Sequence, residues 1–317
     1  MSQYVIGADI GGTTVKLGVF SMEGSLVDKW EIPTRTEEEG RYILQDIADS
    51  CLAYMDKQGL ERKDFAGIGM GVPGTVNEDG SVNTCVNLGW GYREVRREME
   101  EILKIPAWAD NDANAAGLGE MWKGGAKGMT NLIMVTLGTG VGGGIIIDGK
   151  TIRGSHGYGG EIGHITIHPE ETLSCNCGRK GCLEQYCSAN GIARLARAGL
   201  ESWEGTTRLA DLEEITCRDV FDAAKDGDEY ALARVEAFGK DLGMTLANLA
   251  AITDPQVFVI GGGVSKAGKM VTDVVEKYFR RYALAGQREV GFRLAVLGND
   301  AGIYGCARLA LGDAVCQ

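Results

Sequence analysis

The sequence predicts an α/β protein of two related parts, each built on a mixed sheet flanked by helices. Apolar segments of strand length alternate with segments of helical period, as is typical of this class. Glycine turns near Gly11 and Gly140 each join two apolar strands, and this weak internal repeat indicates two related halves. The 317 residues include 48 glycines, about twice the usual share, which suits turns where the backbone approaches a ligand.

The first half begins with three predicted strands. They are YVIGAD, VKLGVF and LVDKWEI, separated by the turns GGTT and MEGS. A helix is predicted from about Glu38 to Gln58, because Ile43, Ile47, Cys51 and Tyr54 recur at helical spacing. The segment FAGIGMGV then predicts a further buried strand.

The first half closes on a strand that leads into a helix. After a helix over about Tyr92 to Lys104, the short strand IPAWAD delivers Asn111 and Asp112 at its carboxyl end. Either of these residues is a suitable N-cap for the following helix, ANAAGLGEMWKG.

The second half repeats the order of strand, glycine turn and strand. The segments NLIMVTLG and GIIIDG predict its first strands, and helices fill much of the range from about 183 to 252. The strand QVFVIGGG leads into the predicted helix VSKAGKMVTDVVEKYFRRY, and FRLAVLG precedes a terminal helix, AGIYGCARLALG. Ligands of such folds bind at loops beyond the carboxyl ends of the strands.

Charge and cysteine usage exclude several classes of partner. The net charge of −12 argues against nucleic acid or an anionic membrane as the main partner, and no apolar segment is long enough to span a bilayer. The first residues, MSQYVIGADIGG, show no signal-peptide pattern. The nine cysteines are an odd number and three of them lie in CNCGRKGC, so we expect a metal cluster in a reducing cytoplasm.

The first glycine turn, DIGGTTVKLG, carries the groups that a phosphate requires. Glycine allows backbone N–H groups to approach phosphate oxygens, hydroxyls add donors, and Asp9 can hold Mg²⁺ through water. The candidate phosphate ligands are Asp9, Gly11, Gly12, Thr13, Thr14 and Lys16. The alternative is a plain hairpin with a Gly-Gly turn.

Two further glycine turns follow strands in the second half. LGTGVGGG contains Gly138, Thr139 and Gly140, and VIGGGVSKAG contains Gly261, Gly262 and Gly263 at a predicted helix N-terminus. None of the three turns has the spacing of a Walker P-loop, and the turn at Gly11 and Gly12 also lacks the spacing of a dinucleotide fingerprint. Three such turns in this order predict a nucleotide site more strongly than any one of them.

A cluster of one imidazole and three thiols indicates a metal site. His164, Cys175, Cys177 and Cys182 form a tetrahedral donor set that suits Zn²⁺, and since no position is left open, the site is structural. The alternative is a set of unrelated buried cysteines.

Carboxylates in two segments are candidates for catalysis and sugar binding. Asp112 can accept the proton of an attacking hydroxyl, or it can merely cap the helix that it begins, and the residues alone do not decide between these roles. Glu161 and His164 in EIGH, and Glu184 in GCLEQY, have side chains that bind sugar hydroxyls, although Glu161 and Glu184 are also compatible with solvated surface charge.

Together these segments resemble a known superfamily. DIGGTTVKLG and LGTGVGGG resemble the two phosphate loops of the actin–hexokinase–Hsp70 superfamily, and VIGGGVSKAG resembles its adenosine segment. The segment LGTGVGGGIIIDGKTIRGSHGYGGEIGH resembles the signature of the ROK family of repressors, open reading frames and kinases. The likeness covers nearly the whole chain and is closest to the bacterial glucokinases of that family.

The resemblance implies a fold and a set of roles. The fold is a two-lobed, ribonuclease H-like one with an interlobe cleft, with a small lobe of residues 1–112 and about 301–317 and a large lobe of residues 113–300. It implies structural zinc on the cysteine cluster, Asp112 as the catalytic base, ATP with Mg²⁺ as phosphoryl donor, and often a homodimer. The implied sugar ligands are Gly74, Asn87, Asn111, Asp112, Glu161, His164 and Glu184.

The implied reaction is transfer of the γ-phosphate of ATP to the 6-hydroxyl of glucose. Kinases of another hexose or of an N-acetylhexosamine are the first alternative. A sugar-responsive repressor is disfavoured, because the first phosphate loop begins within ten residues of Met1 and leaves no room for a preceding helix-turn-helix domain. A sugar sensor without catalysis would leave Asp112 unexplained.

Overall fold

Two five-stranded mixed sheets carry the fold in a computed structural model that describes residues 3–312. The strands are β1 (Tyr4–Ile10), β2 (Thr14–Ser21), β3 (Leu26–Pro33), β4 (Phe65–Val72), β5 (Ala107–Asn111), β6 (Leu132–Leu137), β7 (Val141–Ile147), β8 (Lys150–Thr151), β9 (Val257–Gly261) and β10 (Gly291–Leu294). The helices are α1 (Glu37–Gly40), α2 (Ile43–Gln58), α3 (Val95–Leu103), α4 (Asp112–Lys123), α5 (Glu184–Cys187), α6 (Ala189–Gly199), α7 (Cys217–Lys225), α8 (Glu229–Thr253), α9 (Lys269–Tyr282) and α10 (Ala301–Leu311).

The two sheets have the same strand order. The first runs β3-β2-β1-β4-β5, with β1 antiparallel to β2 and parallel to β4. The second runs β8-β7-β6-β9-β10, with β6 parallel to β9 and β7 antiparallel to β8. The predicted α/β class with mixed sheets is confirmed, and the repeat suggested by the two glycine turns corresponds to this repeated order.

The chain divides into two compact units. Unit 1 comprises the residues up to Thr130, residues 144–160 and the residues from Val296 onward, and unit 2 comprises residues 131–143 and 161–295. The sequence suggested a boundary at residues 112 and 113, whereas unit 1 also contains α4. The reason is a close packing of α4 on α10, since a Cβ at Gly119 or at Gly305 would overlap the backbone of the other helix.

Two predicted helices are interrupted. The predicted helix from Glu38 begins only at Ile43, because Glu38 and Glu39 have left-handed backbone angles. The segment after β9 forms a 3₁₀ turn over Val264–Ala267, and α9 begins after Gly268, whose φ of 79° ends that turn. Among the helices between Gln3 and Gly312, none has the length and apolar character needed to cross a membrane.

The buried core of unit 1 fixes the positions of the carboxyl ends of β1, β4 and β5. Residues such as Ile6, Ile68 and Ala107 are almost completely buried and pack in one apolar cluster. A Cβ at Gly69 would overlap the carbonyl of Cys306, so this glycine allows α10 to lie directly on the sheet. Asp9 at the end of β1 therefore comes next to the N-terminus of α10.

Candidate functional site

In unit 1 the first glycine turn is tightly braced. The Gly11 amide donates to the Thr14 carbonyl at 3.0 Å, and the Thr34 hydroxyl donates to the Gly11 carbonyl at 2.7 Å. Gly12 and Thr13 at the tip are exposed. The hairpin interpretation is therefore correct as geometry, and the exposed tip is compatible with the phosphate-loop interpretation.

Asp9 is half-buried beside the first turn of α10. A Cβ at Gly302 would overlap the Asp9 carboxylate, so glycine there allows the carboxylate to approach the helix N-terminus. Burial raises the pKa of Asp9, and the positive charge of Lys16 opposes that rise. A helix N-terminus stabilises a carboxylate, and an oxygen ligand beside a glycine turn suits Mg²⁺. The Lys16 ammonium donates to the Asn299 carbonyl at 3.1 Å.

Asn111, and not Asp112, is the N-cap of α4. Its Oδ1 accepts from the amides of Ala113 and Asn114 at 2.9 and 3.3 Å, and its Nδ2 donates to the Gly74 carbonyl at 3.1 Å. Asp112 is the first helical residue, and its carboxylate is half-buried. The helix N-terminus favours the ionised form of this carboxylate, which is the form that a general base needs.

The remaining candidate sugar residues of unit 1 come from the loops after β4. Gly74 fits against the Thr84 carbonyl and Cys85, where a Cβ would meet them within 2.7 to 3.0 Å. Asn87 lies in an exposed 3₁₀ turn, and its carbonyl would be 3.7 Å from a Cβ on Gly12. The structure thus brings the Asn87 loop next to the first glycine turn.

In unit 2 the second and third glycine turns lie side by side. Gly262 has a φ of 83° and packs on the backbone of Leu137 at the end of β6, where a Cβ would overlap it. The Gly138 carbonyl accepts from the Ala189 amide at 2.8 Å, which ties the second turn to the start of α6. Gly138, Thr139 and Gly140 are therefore held next to Gly261, Gly262 and Gly263.

Glu184 is hydrogen-bonded to the backbone of the second glycine turn. Its Oε2 accepts from the Val141 amide at 3.0 Å, and a Cβ on Gly140 would overlap the same oxygen. Its Oε1 lies 3.8 Å from the Cys175 sulfur. This half-buried carboxylate is therefore not a solvated surface charge, because it connects the turn to the cysteine cluster.

The four predicted metal ligands come together. Their ligand atoms all lie within 4.8 Å of one another, with His164 Nδ1 3.8 Å from the Cys175 sulfur and the Cys177 and Cys182 sulfurs 3.7 Å apart. Tetrahedral zinc with Zn–S bonds of about 2.3 Å places two sulfurs about 3.8 Å apart. The donor set and its spacing therefore fit Zn²⁺, and a disulfide would need the sulfurs about 2 Å apart.

The two nitrogens of His164 face different groups. Nδ1 faces the sulfurs, and Nε2 lies 4.0 Å from a carboxylate oxygen of Glu161. A metal on Nδ1 would fix the tautomer and leave Nε2 as a hydrogen-bond donor beside that carboxylate. Glu161, His164 and Glu184 are each partly exposed in unit 2, so their polar atoms are open to a ligand.

A cavity in unit 2 was not predicted in full from the sequence. It has a volume of about 740 Å³, and the lining residues include Asn190, Thr216, Arg218, Phe221, Gly263 and Lys266. Of the third glycine turn only Gly263 lines it, and α7 supplies residues without any motif. The sequence predicted helices over much of the range from about 183 to 252, but it did not predict which side of α7 faces a neighbouring loop.

Sequence reasoning also missed a buried ion pair in unit 1. Asp110 is completely buried, and Arg153 donates to it from Nε at 2.9 Å and from Nη2 at 2.8 Å. The only available signal was the position of Asp110 in the segment ADNDANAAG, at the end of a buried strand.

Comparison with known proteins gives a consistent picture. The model of a family described as the ROK family matches residues 5–313. A glucokinase of Halalkalibacterium halodurans is 43% identical over 96% of this chain and 93% of its own length. Among solved structures, a ROK hexokinase from Thermus thermophilus has 32% identity and a TM-score of 0.80, with coverage of 96% of this chain and 97% of that one.

A second similar solved structure contains bound ligands. It is a ROK family glucokinase from Streptomyces griseus in complex with glucose and AMPPNP. Its identity to this chain is 33% and its TM-score is 0.74, with coverage of 96% of this chain and 98% of that one.

Proposed function

Because this chain belongs to the ROK family, we propose that it is a glucokinase, which transfers the γ-phosphate of ATP to the 6-hydroxyl of glucose. A 43% identical glucokinase matches almost the whole chain, and a structural relative binds glucose and AMPPNP. The observation that carries the mechanism is the position of Asp112 at the N-terminus of α4, where Asn111 already provides the cap.

Asp112 acts as the general base. Phosphoryl transfer to an alcohol needs a group that accepts the hydroxyl proton while the phosphorus is attacked. Asn111 caps the helix, the Asp112 Oδ1 accepts from the Ala113 amide at 2.8 Å, and the helix N-terminus favours the ionised carboxylate that can accept a proton. Water must be excluded for transfer to compete with hydrolysis of ATP.

The sugar ligands in this proposal are those that the family resemblance implies. Besides the base they are Gly74, Asn87, Asn111, Glu161, His164 and Glu184. Carboxylates, amides and imidazoles bind pairs of adjacent sugar hydroxyls, and the Nε2 atom of His164 is directed to Glu161 rather than to the sulfurs. Glu184 binds the sugar with an oxygen lone pair that the Val141 amide does not occupy.

The glycine turns bind the nucleotide. The backbone of Gly11, Gly12 and Thr13, with Thr14 and Lys16, and the turn of Gly138, Thr139 and Gly140 hold the phosphates. Asp9 would hold Mg²⁺, which when bound would supply positive charge against the charge that develops on the phosphoryl group. The cavity beside Gly263 has the size for the adenosine.

Zinc on the cysteine cluster has a structural role. His164, Cys175, Cys177 and Cys182 would hold it, and it would then fix the imidazole and the segment that leads to Glu184. A reducing compartment such as the cytoplasm keeps these thiols available. We further expect a homodimer with no nucleic-acid or membrane partner, in agreement with the net charge of −12.

A sugar panel tests the proposal. ADP release with Mg·ATP is measured with glucose, fructose, mannose, N-acetylglucosamine and N-acetylmannosamine. We expect turnover on glucose well above turnover on the others, and turnover on an N-acetylated sugar instead would keep the reaction and change the substrate. Silence on every sugar, with glucose still raising the melting temperature, would indicate a sensor.

The Asp112→Ala variant tests the assignment of the base. We expect the rate to fall by about 10³-fold or more while glucose binding remains measurable by calorimetry. The matched control is Asp49→Asn, which removes an exposed carboxylate on α2 and should leave the rate unchanged. Normal turnover by Asp112→Ala would refute the assignment.

A further inference from the structure

Asp110 is the most completely satisfied carboxylate near the proposed base. It is 0% exposed and accepts from five donor atoms. Its Oδ1 accepts from the Asn111 amide at 2.8 Å and from Asn114 Nδ2 at 2.9 Å. Its Oδ2 accepts from the Thr151 hydroxyl at 2.8 Å and from two nitrogens of Arg153.

The two oxygens serve different parts of the fold. Oδ1 holds the first turn of α4, because both of its donors belong to the segment that contains Asp112. Oδ2 holds residues 151–153, which belong to unit 1 although residues 161–295 just beyond them belong to unit 2. The carboxylate therefore connects the start of α4 to the segment after β7.

Arg153 supplies the charge that makes this burial possible. A carboxylate removed from water is strongly destabilised unless it is paired and hydrogen-bonded. The side chain of Arg153 is 18% exposed, and both of its donating nitrogens converge on Oδ2. A purely structural ion pair would have these features too, but this one begins two residues before Asp112.

On the proposed function, we propose that Arg153 is a positioning residue for Asp112, acting through Asp110, and that their paired charges set the pH at which Asp112 can act as a base. The geometric part follows from Oδ1, which orients the residues on both sides of Asp112. The electrostatic part follows because an unpaired charge at either position would act on Asp112 through a poorly screened interior.

Other ionisable groups face this region and are left unchanged by the test. On α10, the pKa of Cys306 is raised well above its usual value by burial and then by the carboxylates of Asp9 and Asp110. Burial raises the pKa of Cys85 to about 11, and Asp112 adds to that rise. On α3, Glu100 accepts from the Ala107 amide at the far end of β5. All of these groups are retained in every variant below.

Four variants separate charge from geometry. They are Arg153→Leu, Arg153→Lys, Asp110→Asn and the double variant Asp110→Asn with Arg153→Leu. The readouts are kcat and KM for glucose over a pH series, with the melting temperature as a check of folding.

Arg153→Leu and Asp110→Asn each remove one charge of the pair. They should shift the acid limb of the pH profile of kcat in opposite directions. Arg153→Leu leaves the negative charge of Asp110 unpaired close to Asp112. The Asp112 carboxylate then takes up a proton at higher pH, so the acid limb moves to higher pH by on the order of one unit. Asp110→Asn leaves the positive charge and lowers the limb by a similar amount. The double variant should return the limb close to its original position.

Arg153→Lys tests the geometric part. It keeps the charge but not the two converging donors, so the limb should stay in place while kcat falls by about tenfold to 10²-fold and KM changes little. Folding failure in Arg153→Leu would leave this variant and Asp110→Asn as the test.

Two results would contradict the inference about Arg153 and Asp110. If the limb stays unmoved in every folded variant, or if kcat and KM worsen together without a pH effect, the pair is only structural and the inference is wrong. If the parent protein phosphorylates no sugar, the proposed function fails instead. Titration of the Asp112 carboxyl by ¹³C NMR in the same variants would then still test the charge coupling, with Asp112→Asn to assign the signal.

Discussion

The glycine turns after β1 and after β6 occupy equivalent places in two sheets of the same strand order, yet they are supported differently. After β1 the carboxylate is Asp9, which belongs to the strand itself and packs at the N-terminus of α10. After β6 the carboxylate is Glu184, which comes from a segment 43 residues beyond Val141. The carboxylate beside a repeated turn can therefore come either from the adjoining strand or from a segment far along the chain.

The difference has a consequence for the metal cluster. Glu184 follows Cys182 by two residues and approaches the Cys175 sulfur, so the position of its carboxylate depends on the fold of the cysteine segment. Asp9 lies on β1 and packs against α10, and neither element contains a residue of the cysteine cluster. Damage to the cluster should therefore disturb the second turn and spare the first.

Loss of a zinc ligand is the strongest test of this difference. Cys177→Ser removes the exposed ligand of the four with little change in packing, and we expect loss of bound zinc and a melting temperature lower by roughly 5–10 °C. Because Glu184 loses its support, kcat/KM for Mg·ATP should fall by about 10²-fold, although zinc does not contact the nucleotide. Metal content is measured by mass spectrometry.

The control for this variant is Cys187→Ala. Cys187 is buried close to the cluster in sequence but its sulfur lies near the Phe238 carbonyl and outside the ligand set. It should retain one zinc per chain with normal kinetics. Full zinc occupancy in Cys177→Ser, or a zinc-free protein with unchanged kinetics, would contradict the proposed link.

Two glycines of the second turn give a matched pair. A Cβ at Gly140 would overlap the Glu184 carboxylate, whereas a Cβ at Gly138 would meet nothing within 4 Å. Gly140→Ala should therefore displace Glu184 and lower kcat/KM for ATP and for glucose by roughly 10-fold to 10²-fold. Gly138→Ala adds a Cβ to the same phosphate-binding turn without displacing Glu184, so its effect on kcat/KM should be smaller than that of Gly140→Ala. Equal effects would mean that Glu184 does not support the turn.

Most strands were predictable because they are short runs rich in apolar residues next to glycine or proline, whereas β8, which consists of Lys150 and Thr151, was not predicted. The left-handed backbone of Glu38 and Glu39 left no signal, since residues other than glycine rarely adopt it. Unit 1 includes α4, which the predicted boundary at residues 112 and 113 separates from it, because α4 packs on α10 at Gly119 and Gly305, which lie far apart in the chain. Local pattern gives elements, but long-range backbone contacts decide how they group.

The same distinction between local sequence pattern and long-range contacts applies to the candidate site. The four metal ligands were predictable because they fall within 19 residues. That Asn111 rather than Asp112 is the cap could not be predicted, since both residue types suit that position and the choice depends on backbone angles. The partner of Asp110 could not be predicted either, because Arg153 lies 43 residues away.

The smallest expected effect comes from the first turn. Gly302→Ala would place a Cβ on the Asp9 carboxylate and push it from the N-terminus of α10. We expect the KM for Mg·ATP to rise by about fivefold to tenfold. The KM for glucose and the zinc content should stay unchanged, because neither Asp9 nor Gly302 is a proposed sugar ligand or a member of the cysteine cluster.

Gly286→Ala is the control for this substitution, because a Cβ there would meet nothing within 4 Å and it should match the parent protein. A higher free magnesium concentration should partly restore the Gly302→Ala variant, since the displaced carboxylate binds the hydrated ion less well. A raised KM for ATP that magnesium does not correct would assign Asp9 a purely structural role. In that case the first turn would bind phosphate through its backbone alone, without a metal-binding carboxylate of its own.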